Sequence, residues 1–180
     1  MKSHLLSASM VLLLFGTPAS ADRLSIYSDA ALTQYTIDDS VPRVVTLYVA
    51  GYLFESSGVR FSVRPGPGFT GVWLSDTSAF YLYGSSPTDI AIGFGRCVTS
   101  RSVLILTMSY QMFGTSSPCS ELHAAPPNGF PYAFSTGYCG FDETPIGQLD
   151  KLYANCANPP IPPVPTEPTT WGKVKSLYRD

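Results

Sequence analysis

The feature that most constrains this chain is a series of short β-forming runs at nearly regular spacing. They fall at 23–27 (RLSIY), 44–50 (VVTLYVA), 58–64 (GVRFSVR), 69–75 (FTGVWLS), 79–83 (AFYLY) and 88–95 (TDIAIGFG). Four more follow, at 103–110 (VLILTMSY), 120–125, 132–138 and 149–153. Each is rich in Val, Ile, Tyr or Phe and is bounded by Gly, Pro, Ser or Asp, the residues of turns. Two runs alternate cleanly. Val59, Phe61 and Val63 share one face, with Arg60, Ser62 and Arg64 on the other; Ile90, Ile92 and Phe94 likewise share a face. Period two marks a half-buried strand. The run 103–110 is almost wholly apolar and predicts a central strand covered on both faces. No helical period of useful length separates these runs, which argues against an α/β fold. Spacings near ten residues with turn signals mean a sandwich or a barrel, and the expectation is an all-β, immunoglobulin-like antiparallel sandwich over residues 22–156.

Residues 1–21 stand apart. Lys2 supplies a positive start, Leu5 to Phe15 form an apolar stretch, and Ala19-Ser20-Ala21 has the small-x-small form of a cleavage site. This is the pattern of a secretory signal peptide. The stretch is shorter than the roughly 20 apolar residues a membrane span needs. The expected mature chain has 10 basic against 13 acidic residues, a net charge of −3. It carries no basic stripe of the kind that nucleic-acid binding requires. The expected location is outside the cell or at a bacterial cell surface, with the periplasm as the alternative.

Export changes how the cysteines are read. Cys97, Cys119, Cys139 and Cys156 form an even set in the mature chain, which favours two disulfides. Their spacings match no zinc site.

Residues 157–168 (ANPPIPPVPTEP) hold six prolines and predict a polyproline II linker of roughly 30 Å. Beyond it, residues 169–180 place Trp171, Val174, Leu177 and Tyr178 on one face of a short amphipathic segment. Twelve residues are too few for a stable isolated helix. That segment is a candidate for docking, on a partner or on its own domain.

Catalytic chemistry is sparse. His123 is the sole histidine after the leader, and no G-x-S-x-G elbow accompanies it. Adjacent carboxylates occur at Asp38-Asp39 and Asp142-Glu143, both in turn-like contexts and without a calcium-loop pattern. Glu55, Asp76, Asp89 and Glu121 are further carboxylates that a glycosidase pair could draw on. No metal, cofactor or catalytic residue is assigned.

What remains is an aromatic surplus, with 11 Tyr and 10 Phe. Trp73 falls in a strand near Phe69; Phe80, Tyr81 and Tyr83 follow closely; Tyr132, Phe134 and Tyr138 line a later run. Trp73, Tyr81 and Tyr83 are the candidate ligand-binding residues, since exposed rings on a rigid sheet can stack on sugars or anchor a protein interface. Trp73 also fits an ordinary core position.

The stretch from Val44 to Ser75, VVTLYVAGYLFESSGVRFSVRPGPGFTGVWLS, resembles the front half of a cohesin-type sandwich. Its Gly58-Val59-Arg60-Phe61-Ser62-Val63 matches the G-x-x-F-x-V strand of those domains, and TDIAIGFG and VLILTMSY are similar to the strands that complete one. The resemblance covers residues 40–112 and implies a cohesin-like or carbohydrate-binding-like sandwich. The cysteine-bearing second half departs from cohesins, so no dockerin partner and no binding residue are carried over. The closing TTWGKVKSLYR resembles a short tail of exported bacterial proteins.

If successive strands simply alternate direction, Cys119 joins Cys139 at one end and Cys97 joins Cys156 at the other. The leading functional expectation is a secreted, non-catalytic interaction or structural module with an unidentified protein or glycan partner. The alternative is a carbohydrate-binding module with a flat row of exposed aromatics; a secreted hydrolase, with two facing carboxylates, ranks third.

Overall fold

A computed structural model describes residues 22–53, 55–99, 102–137, 139–140 and 142–160. The leader, residues 161–180 with the candidates Trp171, Val174, Leu177 and Tyr178, and Tyr138 lie outside the described residues. Every regular element among the described residues is a strand: β1 (Arg23–Tyr27), β2 (Thr36–Ile37), β3 (Arg43–Tyr52), β4 (Ser56–Pro65), β5 (Val72–Thr77), β6 (Tyr81–Ser85) and β7 (Asp89–Val98). Then come β8 (Val103–Met112), β9 (Ser120–Ala125), β10 (Phe134–Gly137), β11 (Asp142–Pro145), β12 (Gln148–Leu149) and β13 (Lys151–Ala154).

These strands make two sheets. The first has the order β12-β1-β3-β8-β5. The second runs β11-β10-β4-β9-β13-β2, with β7 also paired to β4 and β6 forming the edge beyond β7. Alternation builds the core. Leu47 and Val49 from β3, Leu106 and Met108 from β8, Val59, Phe61 and Val63 from β4, and Ile90 and Ile92 from β7 are all buried between the sheets. Each fully buried side chain of this kind contributes about 1.5–3 kcal/mol relative to exposure.

Four sequence expectations need correction. The sandwich is mixed, because β12 runs parallel to β1 and β2 runs parallel to β13. Both are two-residue strands, too short to carry a readable alternation. The expected run 149–153 is divided between sheets: β12 pairs in the first, β13 in the second, and Asp150 is the crossing residue. Strands that switch sheets at a corner are a recurrent way to close a sandwich.

β8 is covered on one face, not two. Met108, Tyr110 and Met112 are buried, while Thr107, Ser109 and Gln111 between them are half-exposed. The apolar run was misleading because a β-bulge sits in it. Val49 pairs with Leu106 and Ala50 with Leu104, so Ile105 is an extra residue and is buried beside Leu106.

The disulfides join Cys97 to Cys139 and Cys119 to Cys156, with Cα–Cα distances of 5.2 and 4.4 Å. The pairing expected from alternating strands is therefore wrong. β9 pairs with residues 62–65 of β4 and β10 with residues 59–60, both antiparallel to it. They run in the same direction, with residues 126–133 as an excursion between them. That missing reversal carries Cys139 to the end of the sheet where β7 delivers Cys97. There the Cys139 amide donates to the Glu55 carbonyl (2.5 Å). Cys119 precedes β9 and Cys156 follows β13, so the antiparallel β9–β13 pair brings them together.

Candidate interaction surfaces

The two sheets present different outer faces. On the first, β3 turns Val44, Thr46 and Tyr48 outward, and register sets them in cross-strand rows. Val44, Gln111 and Val72 form one row; Thr46, Ser109 and Ser75 the next; Tyr48, Thr107 and Thr77 the third. Leu104 lies opposite Ala50 at the far end. Val44, Val72, Leu74 and Leu104 are among the most exposed aliphatic side chains. None of these outward residues carries a charge. The result is an uncharged surface of valines, leucines, hydroxyls and the Gln111 amide.

Trp73 does not belong to that surface. It pairs with buried Tyr110, packs against the core from the inner side of β5, and donates its indole N–H to Asp76 Oδ1 (2.9 Å). Asp76 also accepts from the Ser86 amide and hydroxyl, at 2.7 and 2.8 Å. This carboxylate therefore ties β5 to the turn between β6 and β7.

Tyr81 and Tyr83 lie on the other sheet, on edge strand β6, and are 79% and 83% exposed. The structure brings these two together and leaves Trp73 apart, so the three do not make one flat row. Beside them, Gly93 and Gly58 are register partners of Tyr81, and Ala91 and Arg60 of Tyr83. Gly95 has φ +66°, and a side chain there would begin 3.1 Å from the Tyr81 ring, so that ring lies over its backbone. Across β7 and β4, Phe134 is paired to Arg60. The 126–133 excursion folds Phe130 over the same arginine, whose guanidinium carbon is 4.2 Å from the ring centre. Arg60 donates to both oxygens of Asp89, at 2.8 and 2.5 Å. That guanidinium holds the Asp89 carboxyl below its usual range, and Asp89 in turn raises Arg60. Sequence reading missed Arg60, Asp89 and Phe130 here. The opposite charges at 60 and 89 were visible, but their juxtaposition depends on strand register.

Several other titratable groups have local partners. Glu121 accepts from Lys151 Nζ (2.7 Å) and lies 3.7 Å from His123 Nδ1. Burial pushes the His123 imidazole below its ordinary value, with Lys151 and Arg64 pushing the same way and Glu121 opposing. Asp39 is fully buried and accepts from the amides of Gly114 and Ser116. Among the described residues no group of three or more His, Cys, Asp or Glu is arranged to hold a metal ion. A concavity of about 510 Å³ beside Cys97, lined by Phe80, Arg96, Val98 and Leu104 among others, has no carboxylate in its lining. It is not a two-carboxylate cleft. No helix among the described residues is long and apolar enough to cross a membrane.

No family model and no curated protein matches the chain. Solved structures do. A cohesin module from the family 33 glycoside hydrolase of Clostridium perfringens superposes with a TM-score of 0.52 at 9% identity, covering 76% of this chain and 98% of that one. The fold is cohesin-like. The sixth cohesin of Acetivibrio cellulolyticus scaffoldin B, solved in complex with a dockerin, gives 0.51 at 11% identity over 76% and 99% of the two chains. A type II cohesin from the cellulosome of the same organism gives 0.51 at 11% over 77% and 96%. The cohesin likeness expected from residues 40–112 thus extends to a whole module. At these identities the likeness is one of fold.

Proposed function

We propose that this chain is an exported, non-catalytic protein-interaction module that binds its partner through the outer face of β3, β8 and β5. One observation carries the reading: the outward rows of this face hold no charged side chain and are studded with exposed Val44, Val72, Leu74 and Leu104. Exposed aliphatic clusters on a rigid sheet mark contact surfaces for other proteins, and depletion of charge is typical of the centre of such contacts. The two disulfides fit an oxidising compartment and so support export. The cohesin-like fold adds support, since one of the similar modules is solved with a protein bound. In this reading residues 1–21 are removed, 22–156 form the module, and 157–168 space the segment with Trp171, Val174, Leu177 and Tyr178 for a second contact.

The test is affinity capture from the extracellular proteins of the source organism. The bait is the chain without its predicted leader, compared with Val44→Asp/Val72→Asp. A protein retained by the former and lost with the latter supports the reading. Equal capture by both overturns it.

A further inference from the structure

The exposed hydrophobic side chains of the two faces differ in their main type, although Tyr48 and Phe113 put aromatic rings on or beside the first sheet. Val44, Val72, Leu74 and Leu104 are on the first sheet, while Tyr81, Tyr83, Phe130 and Tyr132 are on the second or in its 126–133 excursion. Aliphatic and aromatic surfaces suit different ligands. A ring offers a flat face with a negative quadrupole, which favours the C–H faces of another flat ring and adds polar edges at Tyr hydroxyls.

We infer that the outer face of β6, β7 and β4 is a second binding site, for a neutral glycan chain of pyranose units. Tyr81 and Tyr83 are two residues apart on one side of β6, hence about 7 Å apart along the strand, close enough for one chain of sugar rings to touch both. The surface beside them has no side-chain bulk. Gly93 continues the row of Tyr81, with buried Gly58 beyond it, Ala91 continues that of Tyr83, and nothing lies within 4 Å of a side chain placed at Gly93 except Tyr81 Cβ, at 4.0 Å. The far side of this trough is Arg60, stacked on Phe130. A chain of sugar rings would lie along the floor with its apolar faces against the tyrosines.

The polar groups of the trough match an uncharged, hydroxyl-rich ligand. Arg60 and Asp89 neutralise one another through a two-pronged pair, yet both side chains remain about one-third exposed. Their remaining N–H groups and oxygen lone pairs can serve sugar hydroxyls as donors and acceptors. A charged ligand would have to compete with one ion of this pair for the other; a neutral one leaves it intact. The Ser57 and Thr136 hydroxyls, 2.8 Å apart, lie on the strands at the same end of the trough as Gly58.

The site is tested by isothermal titration of the chain lacking only its predicted leader. The probes are cellohexaose, mannohexaose and the hexamer of N-acetylglucosamine, with hexagalacturonate as the acidic comparison. At least one neutral oligosaccharide is expected to bind. Tyr81→Ala and Tyr83→Ala should each weaken it about five- to tenfold, the scale of one aromatic contact. Gly93→Thr, which fills the floor without touching a core residue, should weaken it comparably. Val44→Asp/Val72→Asp should leave it unchanged, which separates this site from the protein-binding face. The inference is overturned if no neutral probe binds at millimolar concentration, if the acidic probe alone binds, or if the Tyr81→Ala/Tyr83→Ala double variant binds like the parent. None of those results alters the outcome of the capture experiment.

Discussion

Arg23 donates through Nε to Asp150 at the residue where the last strand leaves one sheet for the other. Both side chains are about nine-tenths buried. Asp150 also accepts from the Ser25 hydroxyl (2.5 Å) and the Gln148 amide (2.8 Å), and its own amide donates to Leu24 (2.8 Å). The crossing that closes the sandwich thus rests on one buried carboxylate. Asp150→Ala removes the charge that faces Arg23 and should cost about 3–5 kcal/mol of stability, read by urea denaturation. Asp150→Asn, which retains the shape and an acceptor oxygen, should cost less.

Peptide mapping under non-reducing conditions should recover Cys97 linked to Cys139 and Cys119 linked to Cys156. The closed loops have sequence separations of 42 and 37. Replacing either pair by Ser should lower stability by about 2–4 kcal/mol. Cys119 and Cys139 both hold positive φ, 56° and 52°, a conformation that costs an L-residue roughly 1–2 kcal/mol. Recovery of a 119–139 peptide would contradict the directions assigned to β9 and β10.

Two glycines of the β6–β7 pair should answer differently to Ala. Gly84 has φ +85°, and a Cβ there would stand 2.1 Å from the Asp89 carbonyl oxygen, which is backbone and cannot yield cheaply. Gly84→Ala should therefore cost about 1–3 kcal/mol and disturb the β6–β7 pairing. Gly93→Ala meets open space and should leave the melting temperature within a few degrees of the parent.

Stability should fall as pH drops below neutrality. His123 has its pKa depressed in the folded chain by burial. The unfolded chain, with an ordinary value near 6.5, therefore takes up a proton first as pH falls. Each step below that value favours unfolding until the folded-state pKa is passed. Asp39 adds an effect at lower pH. Burial raises its carboxyl, but hydrogen bonds from Ser116 and Gly114 outweigh this and leave it depressed. Its contribution is present above the unfolded value and lost as pH falls through the folded one. His123→Gln should flatten the decline that sets in near pH 6.5, and Asp39→Asn should flatten the acid limb below it.

Much of this architecture is legible in the residues. The alternation of Val59, Phe61 and Val63, and of Ile90, Ile92 and Phe94, places β4 and β7 with the correct faces inward. What escapes reading is whatever depends on non-local geometry. β2 and β12 have two residues each, below the length at which period two can be seen. The bulge at Ile105 turns a half-exposed strand into an apparently buried one. The shared direction of β9 and β10 follows from both pairing with β4, which no local signal in 120–137 encodes. The surfaces divide in the same way. Tyr81 and Tyr83 stand out in the sequence by parity, whereas Arg60, Asp89 and Phe130 join them only through register and the 126–133 excursion.

The central claim is that a protein partner engages the first sheet. Its most direct test is hydrogen–deuterium exchange of the chain with and without the captured protein. Slowed exchange confined to residues 43–48, 72–77 and 107–112 is the predicted result. Slowed exchange at 81–85 and 89–95, with the first sheet unchanged, would contradict it.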